Sequence, residues 1–68
     1  SSGCNDDLAG KTMEVLVEGK NEKLEGYLSG RLSNNMLVHF KGDEDLIGKI
    51  IDVHIDESKG FYYFGTIV

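Results

Sequence analysis

The side chains that most often perform catalysis or bind metal are scarce in this chain. Two histidines, His39 and His54, lie far apart in the sequence, and Cys4 is the single cysteine. An iron–sulfur cluster requires several thiolates, and a zinc site requires ligands at short, regular spacings. No glycine-rich phosphate loop opens a helix, and no serine is oriented against a histidine base. These patterns predict neither catalysis nor a bound cofactor for this chain itself.

Basic and amide side chains near one polar turn suit a different chemistry. Arg31 precedes the turn that contains Asn35, and a guanidinium in such a place can bind a phosphate or stack on a base. The same arginine could instead pair with a carboxylate such as Glu25 or Asp52, and its position alone leaves both interpretations open. Lys41 follows a predicted strand, where a lysine can bind RNA phosphate or simply be solvated.

Aromatic side chains add a second element of nucleotide recognition. Tyr27, Tyr62 and Phe64 alternate toward the predicted outer surface. Aromatic rings on a surface stack on unpaired bases, but they also cover the end of a small fold or dock on a neighbouring domain. We favour the docking interpretation for Phe64 and leave both open for Tyr62.

Alternating apolar residues predict the strands that must position these side chains. The alternation covers residues 11–18, 24–32, 36–40, 49–56 and 61–68. The predicted inward residues are Met13, Val15, Val17, Leu24, Gly26, Leu28, Gly30, Leu32, Met36, Val38, Phe40, Ile51, Val53, Ile55, Phe61, Tyr63, Gly65 and Ile67. Five short strands without a long helical pattern predict an all-β fold. We expect a small antiparallel barrel, because closure removes exposed edges.

The acidic segment between the third and fourth predicted strands breaks the alternation. Asp43 is predicted to cap a short helical turn that runs through Leu46, and Gly48 is predicted to end it in a left-handed conformation. Leu46 and Ile47 are predicted to plug one end of the barrel.

Size and charge limit the function. The chain has 68 residues and a net charge of −5, and no apolar run is long enough to span a bilayer. Such a small domain cannot enclose a substrate, which favours a binding module. Acidic proteins are not typical nucleic-acid binders, but most of the excess negative charge lies in residues 43–60. A single cysteine and no signal-peptide pattern predict a cytoplasmic location, and we expect a monomer.

An ordered set of motifs resembles a known family. The motifs are Gly30-Arg31, Asn35, Val38-His39-Phe40, Gly42-Asp43 and Leu46-Ile47-Gly48, flanked by Val15-Leu16-Val17-Glu18-Gly19 and Ile51-Asp52-Val53-His54-Ile55. Together they resemble the TRAM domain of radical-SAM tRNA methylthiotransferases. The resemblance covers residues 10–68. Residues 1–9 are therefore expected to be a disordered linker or an expression remnant.

The resemblance implies a five-stranded barrel related to OB-folds that holds tRNA for an enzyme in the same polypeptide. That enzyme is expected to use 4Fe–4S clusters and S-adenosylmethionine to thiomethylate an adenosine beside the anticodon. This domain is expected to bind the anticodon stem-loop, to contact the preceding catalytic domains and to have no catalytic residue or cofactor of its own. The implied RNA-binding residues are Arg31, Asn35, His39 and Lys41, with Tyr27 or Tyr62 stacking on a base.

The chain departs from the family pattern close to Arg31. Leu32 and Ser33 stand where threonine and a basic residue are common, and Met36 stands where another basic residue is common. With the acidic composition, these differences predict weak RNA binding with a shallow salt dependence. Two other functions stay open: recognition of a basic ribosomal protein, and a structural lid on the catalytic barrel. The residues that would bind a basic protein are Asp43, Glu44, Asp45, Asp52 and Asp56.

Overall fold

Five strands in the described part of the chain close into a barrel. The computed structural model describes residues 8–68. The strands are β1 (Thr12–Lys20), β2 (Tyr27–Arg31), β3 (Leu37–Lys41), β4 (Ile50–Ser58) and β5 (Tyr62–Ile67), with a short 3-10 helix (Glu44–Leu46) between β3 and β4. The predicted all-β, five-stranded barrel is confirmed. Residues 1–7 of the predicted linker, with Cys4, lie outside the described part, so the linker stays a prediction.

The strand order around the ring contains one parallel pair. The order is β1–β2–β3–β5–β4, and β4 closes the ring against β1. Four neighbouring pairs are antiparallel, whereas β3 runs parallel to β5. The prediction of an antiparallel barrel is therefore wrong for this pair. An odd number of strands cannot alternate in direction around a closed ring, so at least one pair must be parallel.

The barrel interior is filled by apolar side chains from all five strands or their ends. The buried residues are Val15, Val17, Leu28, Leu32, Val38, Phe40, Val53, Ile55 and Tyr63. All nine were predicted to point inward, because alternation in a strand fixes which side chains share a face. Leu8, ahead of β1, packs against this core. A core of this size supports a stability of roughly 3–5 kcal/mol.

The starts of β2 and β5 differ from prediction. Phe61 was expected inside, but it is 89% exposed in the turn before β5. The predicted β5 register is otherwise confirmed, since Tyr63 and Gly65 are buried. The second difference is that β2 begins at Tyr27, whereas the predicted strand began at Leu24. The preceding residues form a turn, in which the N–H of Tyr27 donates to the carbonyl of Leu24 at 3.1 Å.

The acidic corner is helical, but its details differ from the expected cap. The Asp43 side chain makes no capping hydrogen bond. Its carbonyl oxygen instead accepts the N–H of Leu46 at 3.1 Å. Gly48 has a φ of +89°, which confirms the left-handed exit. Leu46 packs against the core, whereas Ile47 is 39% exposed and does not plug the barrel.

Candidate nucleic-acid interface

Outward side chains of β2, β3 and β5 form a grid on one side of the barrel. The strand registers place nine of these residues in three rows. The rows are Arg31–Leu37–Tyr62, Ser29–His39–Phe64 and Tyr27–Lys41–Thr66. Facing side chains in adjacent strands are close enough to contact one another. Five of the six residues predicted to bind RNA belong to this grid, and Asn35 lies in the turn between β2 and β3.

Three rings form an aromatic cluster, His39, Tyr62 and Phe64, near the middle of the grid. The His39 ring centre lies 5.0 Å from that of Tyr62 and 5.4 Å from that of Phe64, and the two larger rings are 5.5 Å apart. Tyr62 meets both neighbours edge to face, an arrangement that ring quadrupoles favour. All three residues are half-buried, so part of each faces solvent. Partly exposed rings of this kind provide surfaces on which unpaired bases stack.

Asn21 connects the aromatic cluster to the loop between β1 and β2. Its Nδ2 donates to Nδ1 of His39, and its Oδ1 accepts the backbone N–H groups of Lys23 and Leu24 at 2.8 and 2.9 Å. Because Nδ1 accepts, the neutral ring carries its proton on Nε2. Burial, and secondly the charge of Lys23, lowers the pKa of His39 from its ordinary value of 6.5. At pH 7 the imidazole is therefore mainly neutral and offers an aromatic surface.

Arg31 stands at the edge of the same face with its guanidinium already engaged. Its Nε lies 3.2 Å from Oε1 of Glu18, and its Nη1 donates to the carbonyl oxygen of Asn35 at 3.3 Å. The side chain is still 43% exposed. The sequence suggested Glu25 or Asp52 as the partner of Arg31, but the carboxylate that pairs with it is that of Glu18. Both interactions leave guanidinium N–H groups free to bind a ligand, because arginine carries five donors.

A groove of about 740 Å³ runs along these side chains. Its lining includes Arg31, Ser29, Leu37, the aromatic cluster, and residues 18–24 at the end of β1 and in the following loop. The groove combines a guanidinium, amide and hydroxyl groups, and exposed rings. Such a surface can hold a phosphate by charge and a base by stacking.

Comparison with models of protein families shows to which family the chain belongs. The family model described as the TRAM domain matches residues 7–68. The chain belongs to the TRAM domain family. The predicted resemblance is confirmed.

Three relatives of this TRAM domain carry the name tRNA-2-methylthio-N(6)-dimethylallyladenosine synthase. The protein from Lachnoclostridium phytofermentans is 53% identical over 100% of this chain and 15% of its own length. That from Clostridium beijerinckii is 46% identical over 93% of this chain and 14% of its own. That from Staphylococcus saprophyticus is 48% identical over 87% of this chain and 12% of its own. The chain therefore spans about one seventh of the relatives it matches.

The predicted site residues occupy three parts of the TRAM domain. Arg31, His39 and Tyr62 line the groove. Tyr27 and Lys41 face each other one row further along the grid, and Tyr27 borders a second hollow of about 580 Å³. Asn35 is exposed in its turn with a φ of +73°. The structure thus brings the six residues to one side of the barrel, and their role in RNA binding stays a prediction.

Three contributors to the groove were missed by the sequence interpretation. Phe64 was assigned to docking, yet it belongs to the aromatic cluster. Asn21 and Lys23 lie between the first two predicted strands and were given no role, although an asparagine at a strand end often organises a loop through its own side chain. Its bond to His39 links residues on different elements. No local pattern could have predicted that contact.

Cations around the TRAM domain differ in how far carboxylates neutralise them. Lys20 lies 3.4 Å from Glu44. Within residues 8–68, neither Lys23 nor Lys41 forms an ion pair. These two lysines can therefore meet a phosphate without displacing a carboxylate, whereas Arg31 is already paired with Glu18.

Lys59 lies beside the aromatic cluster. Its Nζ is 2.9 Å from Oε1 of Glu57 and 5.9 Å from the ring centre of Phe64. The hydrogen bond and the charge of Glu57 raise the pKa of Lys59. Its charge is therefore retained but shared with a neighbouring carboxylate.

Neither a metal centre nor a membrane segment emerges from the described residues. Between residues 8 and 68, no three His, Cys, Asp or Glu side chains come together as metal ligands. No helix in that range is long and apolar enough to cross a membrane.

Proposed function

We propose that this TRAM domain binds tRNA at the anticodon stem-loop. Unpaired bases stack on the aromatic cluster, and phosphates bind Arg31 and Lys41. Asn35 hydrogen-bonds a base edge or a 2′-hydroxyl at the end of the groove. The observation that carries the proposal is the aromatic cluster, because its half-exposed rings can stack on unpaired bases while nearby cations bind phosphate.

The role within a longer protein extends the same proposal. We propose that this chain is the substrate-binding part of a tRNA methylthiotransferase that thiomethylates an adenosine next to the anticodon. We further propose that the 4Fe–4S clusters and S-adenosylmethionine that such chemistry uses are held by other domains of that polypeptide. This domain contacts those domains and supplies no catalytic group. Its cytoplasmic location and monomeric state stay predictions.

Tyr62 gives the most direct test of the stacking surface. We expect Tyr62→Ala to weaken binding of a fluorescently labelled anticodon stem-loop by ~5- to 150-fold, which corresponds to one lost stack of ~1–3 kcal/mol. Fluorescence anisotropy at low and moderate salt measures the dissociation constant, and a thermal melt checks that the variant folds.

Phe61→Ala is the matched control for Tyr62→Ala. Phe61 is also an exposed aromatic residue, but it lies in the turn before β5 and does not line the groove. Its removal should leave RNA affinity unchanged within about twofold. Equal affinities for the wild-type protein and the Tyr62 variant would refute stacking at this cluster.

Recognition of a basic protein is the second candidate. Glu14 and Asp52 face each other directly across β1 and β4, and within residues 8–68 neither has a cationic partner. Like charges in this position are destabilising, so a basic ligand would be favoured there. Two of the predicted acidic residues are already engaged, since Glu44 pairs with Lys20 and Asp56 accepts from Thr66 at 2.7 Å. The acidic surface is therefore less available than the sequence implied.

A competition assay separates the candidate functions. The protein is immobilised and offered a mixture of tRNA and basic ribosomal proteins. Retention of tRNA, lost in Tyr62→Ala, supports the first proposal. Retention of a ribosomal protein, lost in Asp52→Asn, supports the second. If neither is retained, while removal of this domain from the longer enzyme abolishes activity without changing its tRNA affinity, the domain is a structural lid.

A further inference from the structure

We infer that Glu18 is a built-in competitor for RNA phosphate at Arg31, and that it sets how tightly the proposed RNA site binds. The inference rests on the proposed function, since it concerns the same groove. It assigns to a carboxylate an opposing role that neither the composition nor the motif pattern indicates.

A β-bulge directs Glu18 toward the arginine. On β1, Val17 pairs with Gly30 of β2, but the next pair along β2 is Ser29 with Gly19. Glu18 is therefore an extra residue without a partner on β2. Bulges of this kind re-aim the side chain of the extra residue. Its carboxylate reaches Nε of Arg31 at 3.2 Å.

The position of this ion pair makes it a competitor for ligands. Both partners line the groove, and both are close to half-exposed, at 43% for Arg31 and 45% for Glu18. A phosphate that approaches the guanidinium meets a negative charge already bound to one edge. It must either displace Glu18 or bind beside it against like-charge repulsion. Either route weakens the phosphate contact.

Glu18 is not needed to hold Arg31 in place. The carbonyl oxygen of Asn35 accepts a hydrogen bond from Nη1 at 3.3 Å. That carbonyl is fixed by the turn between β2 and β3, in which the N–H of Asn35 donates to Leu32 at 2.9 Å. The backbone therefore keeps the guanidinium at the groove when Glu18 is neutralised. Positioning of Arg31 alone would therefore not require Glu18, because the hydrogen bond to Asn35 already provides it.

A second carboxylate repeats the arrangement at Lys20, the last residue of β1. Lys20 also lines the groove, and Glu44 holds its ammonium at 3.4 Å. Two cations of the groove are thus shielded in the free domain. RNA that offers phosphates alone gains little from them, whereas RNA that also offers unpaired bases gains the stacking energy of the aromatic cluster.

Glu18→Gln tests the inference because it removes the charge and keeps the shape. We expect the variant to bind the labelled anticodon stem-loop about three- to fivefold more tightly at low salt, since exposed ion pairs are weak. In a protein that already carries Arg31→Ala, adding Glu18→Gln should not tighten RNA binding, because there is then no guanidinium for Glu18 to neutralise. Arg31→Ala alone should weaken binding.

Glu14→Gln is the matched control. Glu14 is an exposed glutamate on the same strand, and within residues 8–68 it forms no ion pair. The substitution makes the same change in net charge at a site away from the groove. It should tighten binding by less than about twofold, because salt screens distant exposed charges. Thermal melts of all variants verify that each is folded.

The outcomes separate this inference from the proposed function. Binding by Glu18→Gln that is weaker than wild type, or no tighter than by Glu14→Gln, overturns the competitor role while leaving the RNA site intact. A gain that persists in the Arg31→Ala background also overturns it, since the effect would then bypass Arg31. If Tyr62→Ala and Arg31→Ala both bind as tightly as wild type, the proposed function itself fails.

Discussion

His39 has an environment in which its neutral form is favoured. Burial against Tyr62 and Phe64 removes water from the imidazole, and Lys23 adds a positive charge nearby. Asn21 donates to Nδ1, which the protonated ring could not accept. Each of these interactions opposes protonation. His39 therefore contributes a neutral aromatic ring to the cluster and not a positive charge to the groove.

A pH dependence of stability follows from the lowered pKa of His39. Its folded pKa lies below the ordinary value of 6.5, so on acidification the unfolded chain takes up the proton first. The stability that neutral His39 contributes is complete above 6.5 and is lost as pH falls through the lower folded pKa. We expect the melting temperature to fall over this window, and NMR titration of the His39 ring to give a pKa below 6.5.

Two variants test that assignment. His39→Phe keeps a ring in the cluster but cannot titrate, so its melting temperature should fall less on acidification. His54→Gln removes the other histidine and should leave the fall in place. If the melting temperature of His39→Phe falls with pH as much as that of the wild-type protein, His39 is not the source of the pH dependence.

At the scale of the strands, Gly30 permits the close approach of β1 to β2. A Cβ at this position would lie 2.4 Å from Cγ1 of Val15 and 2.7 Å from the carbonyl oxygen of Leu16. Neither distance is tolerable, and the carbonyl belongs to backbone that cannot rotate away. The same strand pair carries the bulge at Glu18. The close approach of β1 to β2 and the bulge that positions Glu18 near Arg31 therefore lie in the same strand pair.

Substitution of Gly30 is expected to be costly. We expect Gly30→Ala to lower the unfolding free energy by about 1–3 kcal/mol, the usual effect of overpacking. For a domain of this size, that is a large part of the total. Gly19→Ala is the control, because a Cβ at Gly19 meets no atom within 4 Å. Urea denaturation measures both, and equal midpoints would contradict the predicted clash.

At the scale of the whole molecule, charge is distributed unevenly. The net charge is −5, but the carboxylates without a cation partner within residues 8–68 include Asp43, Asp45 and Asp52, outside the groove. Among the groove residues, Lys20 and Arg31 are paired with carboxylates, whereas Lys23 and Glu22 form no ion pair within residues 8–68. Long-range attraction of RNA should therefore be slight, and affinity should depend on contacts inside the groove.

The salt dependence of RNA binding measures this balance. With about three cations at phosphates and about 0.7 per contact on single strands, we expect a slope of log K against log salt of about −2. Arg31→Ala should make the slope shallower by about 0.7, and Lys11→Ala, immediately before β1, should leave it unchanged. Anisotropy titrations at several salt concentrations provide the slopes. A slope steeper than about −5 would indicate many more phosphate contacts than this face provides.

The sequence by itself determined which side chains enter the barrel. Val15, Val17, Val53 and Ile55 were placed correctly because alternation is a local property of an extended strand. The family was likewise recognisable from ordered motifs along the chain. The outward residues of β2 and β3 followed from the same alternation, so Arg31 and His39 were correctly assigned to the surface. Tight turns were predictable where Asn or Gly provides the left-handed conformation.

Tertiary structure alone decided which surface residues meet. The parallel pairing of β3 with β5 brings His39 beside Tyr62 and Phe64, and it follows from closing an odd number of strands into a ring. The choice of Glu18 over Glu25 or Asp52 as the partner of Arg31 depends on a bulge. Contacts between residues far apart in sequence are set by strand order and register, which local propensity does not encode.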